Sequence, residues 1–264
     1  MLDQQVATTE SEAAIARSVV YRAIAAGLRP PTSRAHKRHS GQEGLAALCG
    51  ACVVLDETAS RGSGVGPESK PFGALAEKLC RARQDGAPES LSADFLRLFG
   101  HTAQGRVIPY ETEYGSGDVF RQTDELADLA GFYRAAGLCV PEDRHERVDH
   151  AATECEFMSF LALKEGWAFE NGNGHDPTVE VAVQRAFLRD HLGRFGCAFA
   201  GSLRREAEHE FYSTLAALAS KFLTSECHRM DVPIGPEYLE IRSDQDDGLP
   251  MGCESSCSLL AGGG

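Results

Sequence analysis

Carboxylates, an imidazole and a guanidinium crowd into one run, ERVDHAATECEFMSFLALKE, spanning Glu146–Glu165. Read as a helix, Glu146, His150 and Glu154 fall four apart and share one face, with Asp149 and Thr153 alongside. Such a face has two chemical uses. Its carboxylates can take guanidinium groups through charge-assisted hydrogen bonds. The Glu146/His150/Glu154 set can instead ligate a metal, as in carboxylate-bridged bundles, which makes a helical-bundle metal-binding protein or sensor the alternative reading. Acidic side chains at a helix start are also favoured by the helix dipole, so a structural role explains part of the pattern. Further along, Phe157, Met158, Leu161 and Leu163 recur at near-helical spacing and give this helix a buried half.

The elements that must position this run read as helices throughout. Glu10–Leu28 places Ile15, Val19, Tyr21, Ile24 and Leu28 on an apolar flank and stops at Arg29-Pro30-Pro31. A basic loop, TSRAHKRHSGQ, leads to a small-residue helix at Gly44–Val54, and a Gly/Ser/Pro-rich loop follows. A helix over Phe72–Arg83 precedes a short one, ADFLRLFG, for which Ser90 or Ser92 is the expected cap. Residues 101–117 break the pattern. There Tyr110 and Tyr114 flank Glu111 and Glu113 in a loop bounded by Pro109 and Gly115. Aromatic and acidic side chains on a loop suit the rim of a peptide or ligand site; rings packed down as loop anchors fit equally well.

Helix resumes over Asp118–Gly137, with Leu126, Leu129, Phe132 and Tyr133 on its apolar face. After the Glu146–Glu165 helix come two long ones, Thr178–Ala200 and Leu203–Glu226. The second carries Phe211, Leu215, Leu218 and Phe222 at 4-3-4 spacing. No alternation of β-branched residues persists beyond four or five positions. The expected architecture is all-α: one multi-helix domain of eight or nine helices over residues 1–230, then an irregular, mobile tail over 231–264.

Composition narrows the function classes. The 264 residues are 42% hydrophobic and 25% charged, as in ordinary soluble globular proteins. The N-terminus lacks the basic start and apolar core of a signal peptide, and no window approaches the ~18 apolar residues of a membrane span. Nine scattered cysteines suit a reducing compartment, so a cytoplasmic location is expected. Residues 1–100 carry 12 Lys and Arg against 11 Asp and Glu, whereas residues 101–264 carry 14 against 28. The whole excess of −13 therefore sits in the second part, which repels phosphate backbones and argues against a nucleic-acid partner. It favours a basic partner, such as an arginine-bearing peptide.

Three stretches in order resemble the TorD/DmsD/NarJ family of dedicated cytoplasmic chaperones that mature molybdenum-containing redox enzymes. The first is IPYETEY followed by FRQTDELADLAGFYRAAGL, similar to the family's aromatic–acid loop and its next helix. The second is ERVDHAATECEFM, which resembles the signature Glu-x-Pro-Asp-His before a helix, with Val148 standing where the family usually has proline. Losing that proline should loosen the turn before Asp149. The third, FLRDHLGRFGCAFAGSL and FYSTLAALASKFLTSE, is similar to the two terminal helices. The resemblance implies a TorD-like helical fold and a binding role without catalysis or cofactor. The partner would be a molybdenum-enzyme catalytic subunit with its twin-arginine leader, held back from export until mature. Carried over, the leader-binding positions would be Tyr110, Glu111, Tyr114, Phe132, Glu146, Asp149 and His150. The protein would be a monomer or a helix-exchanged dimer.

Other motifs carry less. Cys49 and Cys52 have thiol-redox spacing but sit in a helical pattern, where buried cysteines are the simpler account. With Cys253 and Cys257 they would make a four-thiol zinc set of irregular spacing. GSGVGPESK lacks the Gly-Lys-Ser/Thr ending of a phosphate loop, and no nucleophile elbow or dinucleotide fingerprint is present.

Overall fold

The computed structural model describes residues 2–63, 71–100, 105–115, 119–138, 147–171 and 176–242. Among them are ten α-helices, one 3₁₀ turn and no strand, only two isolated β-bridges. The all-α expectation holds. Glu146, the GSGVGPESK loop beyond Ser63, and the tail cysteines Cys253 and Cys257 lie outside the described residues.

Two long helices, α1 (Leu2–Gly27) and α7 (Ala151–Asn171), share the most extensive helix contact. Small residues let the two backbones approach closely. Ser11, Ala14 and Ser18 face Ser159, Ala162 and Gly166, all of them buried. The Ser11 hydroxyl donates to Gly166 O at 3.1 Å, and Ser18 and Ser159 hydroxyls meet at 3.0 Å. Around this pair sit α2 (Arg34–His39), α3 (Gln42–Ser63), α4 (Pro71–Asp85), α5 (Pro88–Phe99), α6 (Val119–Ala135), α8 (Pro177–Asp190), α9 (Leu192–Glu206) and α10 (Glu210–Arg229). The stripe expected on α10 is fully buried at Phe211, Leu215, Leu218 and Phe222, with Phe222 edge-on to Tyr21 of α1 at 4.6 Å.

Several boundaries differ from the sequence expectation, each for a local reason. The basic loop contains α2, which Ser33 caps by accepting from His36 N–H at 3.1 Å. In α5 the helix starts at Pro88, a favoured first position; the Ser90 and Ser92 hydroxyls instead donate back to Ala87 O and Pro88 O. The helix expected over Thr178–Ala200 breaks at His191, which leaves helical geometry at φ −129°, ψ −102°. Gly193 makes the tight restart possible, since a Cβ there would meet Leu188 O at 2.3 Å. Cys49 and Cys80 thiols lie 3.3 Å apart between α3 and α4, and burial pushes Cys52 up to about 12, which keeps it an inert thiol.

The tail expectation changes most. Residues 231–242 are irregular, but they are seated on the helices rather than loose. Val232 is buried and its N–H donates to Cys227 O at 2.9 Å. Gly235 N–H donates to Gly193 O at 3.1 Å, an approach so close that a Cβ would meet Arg194 O at 2.3 Å. Arg242 N–H then donates to Glu113 O at 2.8 Å.

Candidate functional site

The loop over 109–115 lies between two other extended pieces of chain. On one side, Ala151 N–H donates to Pro109 O at 2.7 Å and Glu111 N–H to Asp149 O at 2.9 Å, pairing Tyr110 with His150. On the other, Gly115 N–H donates to Glu240 O at 2.8 Å, pairing Tyr114 with Ile241. Backbone pairing therefore carries the loop that sequence left irregular, and the 3₁₀ turn Glu111–Glu113 bulges between the two bridges.

Asp149 is the keystone of the first side, at 0% exposure. Its Oδ2 accepts from Thr112 N–H at 3.2 Å and from the Thr112 hydroxyl at 2.8 Å. Arg147 grips it with both arms, Nε to Oδ1 at 2.9 Å and Nη2 to Oδ2 at 2.8 Å. The same guanidinium reaches Glu113 Oε1 at 2.7 Å and lies 4.3 Å over the Tyr110 ring. Burial works against its charge, but bonding to Asp149 and Glu113 prevails and holds Arg147 above the ordinary arginine range. Val148, in place of the expected proline, does not leave the turn loose: Tyr133 Oη donates to Val148 O at 2.8 Å.

Helix α7 begins at Ala151, so His150 is not on the helix that carries Glu154, and Glu146 of the expected face lies outside the described residues. His150 stands just outside the helix as its cap. Its carbonyl accepts from Thr153 and Glu154 N–H at 2.7 and 3.1 Å, and its Nδ1 accepts from Ala152 N–H at 3.0 Å. Burial, then the charge of Arg29, lowers His150 to about 3, so the ring is neutral, and it meets the Tyr110 ring edge-on at 5.4 Å. Glu154 turns inward at 0% exposure, with no hydrogen-bond partner for either carboxyl oxygen. Burial, with Glu111 and Asp149 nearby, raises its pKa well above the carboxylate range. Among the described residues no group of three or more His, Cys, Asp and Glu side chains is arranged to hold a metal ion.

The helix break at His191 supplies the third wall. Its ring is buried between Phe132 and Phe187, at 5.3 and 5.2 Å. Nδ1 lies 3.1 Å from Glu111 Oε2 and Nε2 3.1 Å from Asp128 Oδ2, so one imidazole ties the loop to α6. Glu111 keeps its second oxygen, Oε1, without a hydrogen bond, with Arg194 of α9 at 3.9 Å. Burial raises the Glu111 pKa above the ordinary range, against the lowering pull of His191 and Arg194. Beside it opens a cleft of about 260 Å³, bordered by Glu111, Tyr114, Glu125, Arg189, Arg194, residues 233–236 and Leu239. Tyr114 packs down, its hydroxyl donating to Ile108 O at 2.7 Å and its ring 5.5 Å from Phe195.

Of the seven expected positions, Tyr110, Glu111, Tyr114, Asp149 and His150 come together on the paired segments. Phe132 stands behind them against His191, and Glu146 lies outside the described residues. Sequence reasoning missed Arg147, Glu125, His191 and Arg242. Arg147 sits inside the run ERVDH, where its charge matched the notion of a solvated helix turn; only pairing across 35 residues reveals its role. Arg242 had a signal, the alternation Leu239-Glu240-Ile241-Arg242, that a strand-edge reading of the tail would have caught.

Residues 67–201, about half of the chain, match the sequence family described as nitrate reductase delta subunit. Among curated proteins, the chaperone protein TorD of Vibrio cholerae is 29% identical over 163 residues, 60% of this chain and 70% of that one. A perchlorate reductase assembly chaperone of Dechloromonas aromatica is 29% identical over 105 residues, 40% of this chain and 46% of the relative. A selenate reductase assembly chaperone of Thauera selenatis is 29% identical over 120 residues, 46% of this chain and 58% of that protein.

Proposed function

Because the chain belongs to the nitrate reductase delta subunit family of TorD/NarJ-type maturation chaperones, we propose that it serves a molybdenum-containing reductase subunit by holding its twin-arginine leader against the 110–115 loop. The observation that carries this reading is the cleft beside that loop. A paired backbone edge, the carboxylates Glu111 and Glu125, and Tyr114 converge there, within the acidic part of the chain. An extended peptide can add to such an edge through main-chain hydrogen bonds. Guanidinium groups suit the planar carboxylates better than ammonium groups do, because they bind two oxygens at once.

The roles divide accordingly. Glu111 and Glu125 are the groups that would meet arginine. Asp149 and His150 hold the loop in place, the first by anchoring Thr112 and Arg147, the second by capping α7. In this reading the chaperone acts in the cytoplasm before export and carries out no reaction of its own. No helix among the described residues is long and apolar enough to cross a membrane.

The test is a calorimetric titration with a synthetic leader carrying Arg-Arg and a matched one carrying Lys-Lys. We expect the Arg-Arg peptide to bind at least tenfold more tightly, about 1.4 kcal/mol, with affinity falling as salt rises. We also expect Glu125→Gln to erase most of the preference. Equal affinity for both peptides would remove this cleft as the leader site.

A further inference from the structure

The segment that follows α10 lines one side of the cleft and pairs with the loop beside it. Residues 240–242 run antiparallel to Glu113–Gly115, joined by two main-chain bonds of 2.8 Å that bracket Tyr114 and Ile241. The guanidinium of Arg242 lies between α6 and the loop, with Nη2 3.1 and 3.4 Å from the two Glu125 oxygens and Nε 3.3 Å from Gly115 O. Its side chain is 8% exposed. An arginine on an extended segment, added to the loop's edge and seated on a carboxylate, is the kind of occupant proposed for the client leader.

We propose that residues 240–242 are a built-in occupant of the arginine seat, and that a client leader enters by displacing them. This rests on the leader-binding reading above and adds its regulation. Three features make the segment a competitor rather than a permanent part of the fold. Arg242 Nη1 is buried without a hydrogen-bond acceptor among the described residues, so the seat fits it incompletely. Among the described residues two main-chain bonds hold the segment beside the contacts of the Arg242 side chain, whereas Val232 and Gly235 upstream are fixed independently by Cys227 and Gly193. Ile241 is already 43% exposed, so leaving the seat uncovers only part of one apolar side chain on the segment. Tethering compensates for the poor fit, since an attached segment competes at an effective concentration on the order of millimolar. The occupied seat would screen out weak basic peptides while yielding to a leader that offers two guanidinium groups and an apolar run.

The experiment compares the full chain with its Arg242→Ala variant and with a chain ending at Leu239, which retains the Val232 and Gly235 anchors. Leader affinity is read by fluorescence anisotropy with a labelled Arg-Arg peptide. We expect both altered chains to bind the leader about tenfold more tightly, as loss of one charge-assisted contact implies. A free peptide covering 236–244 should displace the leader from the chain ending at Leu239, and its Arg242→Ala form should not. Unchanged or weaker leader binding in both altered chains overturns the displacement proposal and leaves the leader site standing. Absence of leader binding in all three chains overturns both.

Discussion

Two buried clusters of charge in this molecule are built on opposite rules. Between α1, α7, α8 and α10, every carboxyl oxygen has a donor. Glu165 accepts from Arg17 at 2.7 Å and from Gln184 at 2.9 Å, while Glu226 accepts from Arg229 at 2.9 and 3.0 Å and from Tyr21 at 3.3 Å. Two arginines face two glutamates, and among the described residues the atom left without a partner is a donor, Arg17 Nε, rather than a carboxyl oxygen. Around the 110–115 loop, among the described residues, neither Glu154 oxygen has a hydrogen-bond partner and Glu111 leaves one oxygen without a hydrogen bond. Buried polar groups are nearly always satisfied, and the exceptions gather where a protein has work to do. The first cluster spends its charges on holding four helices together. The second leaves carboxyl oxygens without hydrogen bonds among the described residues, and one of its acids, Glu111, borders the cleft.

The contrast predicts what substitution does in each place. Arg17→Ala should have the largest effect, because it strands the Glu165 carboxylate in the core: a loss of about 3–5 kcal/mol by chemical denaturation. A loss under ~1 kcal/mol would mean the cluster opens to water. Asp149→Ala should cost about 3 kcal/mol, since Thr112 and Arg147 both lose their acceptor. It should also abolish leader binding by releasing the loop rather than by removing a contact. Leader binding that survives at full strength would show the loop holds its shape without this anchor.

Glu154→Met should act in the opposite direction and by less, stabilising by about 1–2 kcal/mol at neutral pH, because an unsatisfied buried acid is replaced by an apolar chain of similar length. The pH dependence follows from the raised pKa. The buried Glu154 favours folding fully below its unfolded value of 4.5, and this contribution disappears as pH rises through the higher folded value. Wild type should therefore lose stability relative to Glu154→Met as pH climbs from about 4.5 toward neutrality. A constant difference across that range would show Glu154 ionised in the folded protein.

Fold class was legible because helical periodicity is a local property. The α10 stripe Phe211, Leu215, Leu218 and Phe222 and the helix stop at Pro30-Pro31 depend only on neighbours in sequence. The site was half legible. Tyr110, Glu111, Asp149 and His150 stood out by residue type, but His150 lies outside the helix it was assigned to, and its neighbour Arg147 turned out to be the clamp. The anchoring of the loop by Asp149, the tie from His191 to Glu111 and the docking of Arg242 depend on contacts 37 to 127 residues apart in the chain, which no period records.

Affinity purification of the tagged chain from its own host, followed by mass spectrometry of the co-purifying proteins, tests the central claim most directly. The account predicts a reductase catalytic subunit that still carries its twin-arginine leader, recovered with the native chain and lost with Glu125→Gln. Recovery of that subunit only in its leaderless form, or equally with both chains, would contradict it.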